Sequence, residues 1–127
     1  MAQSPPLSRI VMRLARNPGT EFADGDDHRG YTLCAPLTPD GMFDEAAYRD
    51  ARDRCTVRRF TPDDDPQEGL LKRRGDRWFF DYDEEDAADD EPLYRLGQHR
   101  LAVGEYVSVT AEDGRLLTYK VTEVAEV

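Results

Sequence analysis

From Leu101 to Val127 the chain reads LAVGEYVSVTAEDGRLLTYKVTEVAEV, and its apolar residues fall on alternate positions. Val107 and Val109 before the turn, and Leu117, Tyr119 and Val121 after it, give each strand one apolar face. Loop length then sets the register. A two-residue Asp113-Gly114 loop pairs Val109 with Thr118 and puts the apolar faces on opposite sides of the hairpin. A three-residue loop, Glu112-Asp113-Gly114 with Gly114 left-handed, pairs Val109 with Leu117 and Val107 with Tyr119. A slip of one residue turns every side chain to the other face, so the apolar match selects the longer loop.

The same reading extends along the chain. Ser8 to Ala15 predicts a first strand, Asn17 to Arg29 a long polar connection, and Tyr31 to Leu37 a second strand with Tyr31, Leu33, Ala35 and Leu37 on one face. One helix is expected, with Asp44 as N-cap and its end near Arg52 or Asp53. Phe43, Ala47, Tyr48 and Ala51 form the stripe that docks on a sheet. Cys55 to Phe60 returns as a strand, and Thr61 to Glu68 is a loop in which two prolines bracket three aspartates. Gly69 to Tyr82 forms a second hairpin turning at Gly75-Asp76, with Leu71 opposite Phe80 and Arg73 opposite Trp78. That register gathers Leu71, Trp78, Phe80 and Tyr82 on one face and lets Arg73 lie over the indole. Asp83 to Glu91 is an acidic loop, and Tyr94 to Leu101 holds a short strand or turn. The expected fold is mainly β (α+β): a small barrel or strongly bent antiparallel sheet of about seven short strands, with one helix against it. Residues 1–7 are expected to be a disordered N-terminus, and 8–127 a single β-rich domain.

Composition narrows the function. With 27 acidic and 17 basic residues the net charge is −10, which opposes general adhesion to nucleic acid or anionic lipid. No apolar run reaches the roughly 20 residues of a membrane helix, and Arg9 and Arg13 interrupt the N-terminal apolar stretch, so a secretory signal is not expected. The two cysteines, Cys34 and Cys55, have no metal-type spacing and fit free thiols in a reducing, cytoplasmic compartment.

The strongest anomaly is eight acidic residues between Asp81 and Glu91. Such a run repels itself until a cation or a basic partner neutralises it. A calcium loop of the helix-loop-helix kind needs Gly at position 6 and Glu at 12. Counted from Asp81 those positions hold Asp86 and Pro92, and counted from Asp24 they hold Arg29 and Ala35, so neither fits. No metal and no cofactor is therefore expected. Docking of a basic protein partner on Asp83, Glu84, Glu85, Asp86, Asp89, Asp90 and Glu91 is the leading functional expectation.

A basic and aromatic patch is the second candidate, formed by Arg58, Arg59, Lys72, Arg73, Arg74, Arg77 and Trp78. It has the ingredients of a single-strand stacking surface, but alternation assigns Trp78 to the core and the nearby aspartates dilute the field. Arginines paired with the protein's own acids are the simpler expectation, and nucleic-acid binding is not expected. Nucleophilic catalysis needs a Cys or Ser beside a His, and the chain has only His28 and His99. A hydrolase-type site, or a small-ligand barrel, built on Cys34 and His28 is thus the alternative to a non-enzymatic interaction or accessory module. A third possibility is a nucleic-acid mimic, which requires the acids at 24–27, 63–65 and 81–91 to share one face.

The C-terminal hairpin resembles the strand pair of sortase barrels, in which a Gly-acid turn leads into a V-x-V strand and a Y-x-V return strand. A sortase cysteine follows the return strand, and the sequence has none there, so no activity or residue is carried over. The blocks RWFFDYD, YRLGQHR and GEYVSV together resemble an uncharacterised family of short acidic bacterial proteins with no assigned activity. That resemblance implies a bacterial cytosolic protein and no mechanism.

Overall fold

In the computed structural model, residues 6–75, 77–82, 91–93, 96, 100–111 and 114–127 are described. Eight antiparallel strands follow one another around a closed barrel: β1 (Ser8–Leu14), β2 (Asp26–Ala35), β3 (Thr56–Phe60), β4 (Gln67–Arg74), β5 (Arg77–Asp81), β6 (Glu91–Leu93), β7 (Tyr106–Thr110) and β8 (Leu116–Glu126). β8 pairs with β1, so every strand has two neighbours and no edge is left to recruit a foreign strand. Inward positions fill the interior with Ile10, Met12, Leu33, Val57, Leu71 and Phe80, all at most 1% exposed. An eight-stranded barrel is just narrow enough for side chains to pack it solid.

Both predicted hairpins have the expected register. Val109 faces Leu117, Val107 faces Tyr119, and Gly114 has φ of 87°, the left-handed turn position that disfavours a Cβ. Leu71 faces Phe80 and Arg73 faces Trp78, with the Arg73 guanidinium 5.7 Å from the indole centroid. The helix α1 (Glu45–Ala51) begins where expected: Asp44 Oδ1 accepts the Ala47 N–H at 3.0 Å. A 3₁₀ turn, Arg52–Arg54, then leads into β3.

Four elements differ from expectation. β2 starts at Asp26 rather than Tyr31, because the first half of that strand is polar and escapes an apolar pattern while still pairing with β1. The pairing needs Gly30, since a Cβ there would lie 1.9 Å from the Met12 carbonyl oxygen. β6 is a strand of only three residues, too short to show a period, at the end of the segment read as an acidic loop. Within Tyr94 to Leu101, Leu96 is buried in a 3₁₀ turn and Arg100 bridges Met42; the other residues between 94 and 99 lie outside the described residues. Leu7, grouped by composition with a frayed N-terminus, is buried, and its carbonyl accepts the Val127 N–H at 2.9 Å.

Alternating strand direction gives the barrel two distinct ends. The connection carrying α1 and the Gly75 turn lie at one end; the 15–25, 61–66 and 111–115 connections lie at the other. At the first end Phe43 and Tyr48 meet Trp78 edge-on, with centroids 4.6 and 4.7 Å away, and Tyr48 Oη donates to the Leu71 carbonyl at 2.7 Å. That end is plugged.

Candidate functional site at the open barrel mouth

The opposite end is lined by polar groups. On β3 the inward alternation that buries Val57 also turns Arg59 into the mouth. On β6 it turns Glu91 inward beside Leu93, leaving the carboxylate side chain 1% exposed. A carboxylate taken that far from water requires donors. Tyr31 Oη donates to Glu91 Oε1 at 3.1 Å and Tyr82 Oη donates to the same oxygen at 2.7 Å. Arg59 Nη1 stands 3.7 Å from Oε2, an ion pair too long to be a hydrogen bond. Tyr31 also packs its ring 4.9 Å from both Phe80 and Tyr119, which joins the polar cluster to the core.

Burial is the first cause that raises the phenol pKa of Tyr31, Tyr82 and Tyr119 above the usual range, and the charge on Glu91 adds to it in each. All three therefore remain neutral hydroxyls at physiological pH, able to donate. They are hydrogen-bonding groups here, not bases.

Above this floor lies a cavity of about 240 Å³. Among the described residues its wall contains the side chains of Arg29, Arg59 and Arg115 and one carboxylate, Glu91, together with apolar surface from Leu14, Phe22, Phe60 and Leu117. Phe22 is bracketed by two guanidiniums, with Arg29 at 5.0 Å and Arg115 at 5.9 Å from its centroid. Arg29 Nε pairs with Asp26 at 3.0 Å, and Arg115 forms a two-pronged pair with Glu21 at 2.6 and 3.0 Å. The Arg115 hydrogen bond is the largest cause holding the Glu21 carboxyl below its ordinary pKa. Thr61 lines the same space, but its Oγ1 is buried away from it and has no hydrogen-bond partner among the described residues.

The mouth's shape is set partly by Asn17, which is 8% exposed. Its Oδ1 accepts the Thr118 N–H at 2.9 Å, while Nδ2 donates to the carbonyls of Ala15 at 2.8 Å and Thr118 at 3.2 Å. This clamp ties the 15–25 connection, which carries Phe22, to β8. A wider groove of about 520 Å³ runs outside β1 and β8, past Arg13, Arg16, Tyr106 and Lys120, but it contains no buried polar group among the described residues.

Several sequence-based candidates are redistributed. Asp83, Glu84, Glu85, Asp86, Asp89 and Asp90 lie outside the described residues. Glu91 leaves their company: it is an interior strand residue bonded to two tyrosines, not part of a solvated docking loop. The basic and aromatic patch is not one surface. Arg59 turns into the open mouth, whereas Arg73 lies at the plugged end; the six residue steps from its β4 level, Gln67, to Arg73 span on the order of 20 Å of strand. Trp78 is 3% exposed and belongs to the aromatic plug. Lys72 pairs with Asp81 at 3.1 Å on the outer face.

Cys34 and His28 do not form a site. Both belong to β2, six residues apart, so an extended backbone holds them on the order of 20 Å from each other. His99 lies outside the described residues. Cys55 is fully buried, and burial pushes its thiol up to about 11, which removes it as a nucleophile. Among the described residues, no group of three or more His, Cys, Asp or Glu is arranged to hold a metal ion, and no helix is long and apolar enough to cross a membrane.

Tyr31, Tyr82, Tyr119, Thr61 and the arginines at 29 and 115 were not singled out by motif or spacing. The available signal was Glu91-Pro92-Leu93, where an acid shares the face of an apolar residue. In comparisons with known proteins, no family model, curated protein or solved structure matches the chain.

Proposed function

We propose that this protein is a small-molecule-binding barrel whose ligand occupies the open mouth above Glu91. One observation carries the reading: among the described residues the barrel is plugged at one end, whereas at the other a 240 Å³ recess joins buried tyrosine hydroxyls and arginines to an apolar wall. Convergent polar groups on an apolar concavity are what fix the orientation of a small ligand. At about 30 Å³ per water, the recess holds roughly eight water volumes, which limits the occupant to a compact molecule. The free thiols fit a cytoplasmic setting.

The test is amide shift mapping of the ¹⁵N-labelled protein against a library of small fragments. Hits that move the amides of Gly30, Thr61 and Ala111 together are expected. Shifts confined to the outer groove beside Lys120, or no shift across the library, would remove the reading.

A contact module is the second reading, and a different observation favours it. Asp24 and Asp63 to Asp65 are exposed on two separate connections at the same barrel end, so a basic partner would meet both runs at once. Changing those four residues to Asn should abolish retention of a defined polyarginine peptide at low salt. Unchanged retention would reject this surface.

A further inference from the structure

Independently of the mouth, we propose that the plugged end carries a second site, in which Arg49, Arg52 and Arg73 cradle a phosphate dianion, free or as a monoester. Glu45, Tyr48, Arg49 and Arg52 follow one another at i, i+3, i+4 and i+7, so α1 and the 3₁₀ turn after it present them on one side. They line a recess of about 370 Å³, open to solvent, which Arg73 completes near the end of β4. Among the described residues none of the three guanidiniums forms an ion pair or a side-chain hydrogen bond. Arg73 is located by Trp78, whose ring centroid is 5.7 Å from its guanidinium carbon. Burial raises the Tyr48 phenol pKa above its ordinary value, and Arg52 and Arg73 act against that rise, so both charges bear on one hydroxyl.

The net charge of −10 does not extend to this end. Divided at mid-strand, with each segment assigned to the end where it is anchored and Arg58 at the middle of β3 counted as open, the whole chain has ten basic and nine acidic residues on the plugged half. The open half has seven and eighteen. Of the acids outside the described residues only Asp76 is attached to the plugged end, and Arg95 is attached there with it. Arg73 stands on the order of 20 Å along β4 from Gln67, beside the Asp63 to Asp65 connection. That is more than two screening lengths of about 8 Å at physiological salt, so the acidic half does not repel an anion here. Three guanidiniums around one recess repel each other until an anion neutralises them. A carboxylate engages a single fork, whereas a phosphate monoester brings about 1.5 to 2 negative charges and three acceptor oxygens. Glu45, the one carboxylate in the wall among the described residues, is exposed and pairs with none of the arginines, which makes it a weak competitor. The half-buried Tyr48 supplies the apolar part of the wall.

Inorganic phosphate and phenyl phosphate are the probes, with dimethyl phosphate and benzoate as singly charged controls. Amide and arginine side-chain shifts of the full chain, titrated at about 50 mM salt, should place the dianions at Tyr48, Arg49, Arg52 and Arg73 with dissociation constants of about 1 mM. Either dianion at these residues supports the site. Tighter phenyl phosphate identifies an ester as the source, and equal affinities identify free phosphate. The singly charged controls should bind at least severalfold more weakly. Arg52→Gln and Arg73→Gln, each checked for an unchanged melting transition, should each weaken the dianions severalfold, whereas Arg13→Gln on the open half should not. Because both substituted side chains are exposed, folding is expected to survive either change, and one folded variant suffices for the test. No shift at these residues up to about 10 mM probe, dimethyl phosphate or benzoate binding as tightly as the dianions, or affinity untouched by both substitutions would overturn the cradle. Shifts confined to the mouth amides of Gly30 and Ala111 would overturn it as well, without touching the ligand-binding reading of the mouth.

Discussion

The two ends of this barrel are built from the same kind of strand, yet they are finished in opposite ways. At the plugged end the insertion between β2 and β3 places Phe43 and Tyr48 edge-on to Trp78, and hydrophobic burial closes the barrel with one side-chain hydrogen bond to backbone, from Tyr48 to Leu71. At the open end no apolar plug is present among the described residues. Glu91, Tyr31 and Tyr82 are drawn inward and must satisfy one another, and a recess remains above them. The first arrangement tolerates imprecision, because dispersion and burial are non-directional. The second does not, since each buried polar group depends on a named partner.

The comparison can be broken at either end. Trp78→Ala should cost about 3–5 kcal/mol as an aromatic core truncation, measured by denaturant unfolding. Because the plug is remote from the recess, fragment binding at the mouth of the folded fraction should persist. If binding disappears with the plug, the two ends are not independent. Glu91→Ala should cost about 2–4 kcal/mol, because it removes the acceptor that the buried Tyr31 and Tyr82 hydroxyls share. The sharper experiment adds Tyr31→Phe and Tyr82→Phe to Glu91→Leu, which removes donors and acceptor together. Stability should recover most of the loss, and failure to recover would mean that the cluster shapes the barrel as well as satisfying itself.

Alkaline pH should weigh more on the open end, where three phenols are raised, than on the plugged end, where Tyr48 is raised by burial. Tyr31, Tyr82 and Tyr119 have folded-state pKa values raised above the 10.0 of a free phenol. A raised pKa in the folded state means the stabilisation is whole below pH 10 and is lost as pH rises past it, because the unfolded chain releases its protons first. Each such phenol withdraws about 1.4 kcal/mol per pH unit over that range, so chemical denaturation at pH 9.5, 10.5 and 11.5 should show a steep fall. Tyr31→Phe should make the fall shallower, and an unaltered slope would assign alkaline lability elsewhere. The smallest effect belongs to the plugged end: Tyr48→Phe removes one hydrogen bond to the Leu71 carbonyl and should cost about 0.5–1.5 kcal/mol. A larger loss would show that the plug, too, depends on a directional contact.

The contrast also explains what could be read in advance. Leu71, Phe80, Val109 and Leu117 announce their pairing because two matched apolar faces tolerate one register only, and those hairpins appear as expected. Asp44 and the Ala47, Tyr48 and Ala51 stripe likewise mark the helix through local rules of capping and period. The mouth follows no local rule. Tyr31, Thr61, Glu91 and Arg115 come from four different segments, and each is ordinary in its own sequence context. Glu91 was indistinguishable from the acids before it until its pairing with Phe80 turned it inward. Cys34 and His28 show the converse error: nearness in sequence suggested a site that an extended strand forbids.

The sequence by itself therefore determined most of the strands, the turn chemistry, the helix start and the mainly β class, but not β6 or the polar start of β2, because hydrophobic alternation and backbone preferences act over a few residues. Closure was decided only in three dimensions. Whether β8 would reach β1, which end the helix would plug and which polar side chains would be carried inside depend on pairings across more than a hundred residues of chain, as between Ser8 and Glu126. A buried carboxylate is specified by the neighbours that surround it, and those neighbours exist only once the barrel has closed.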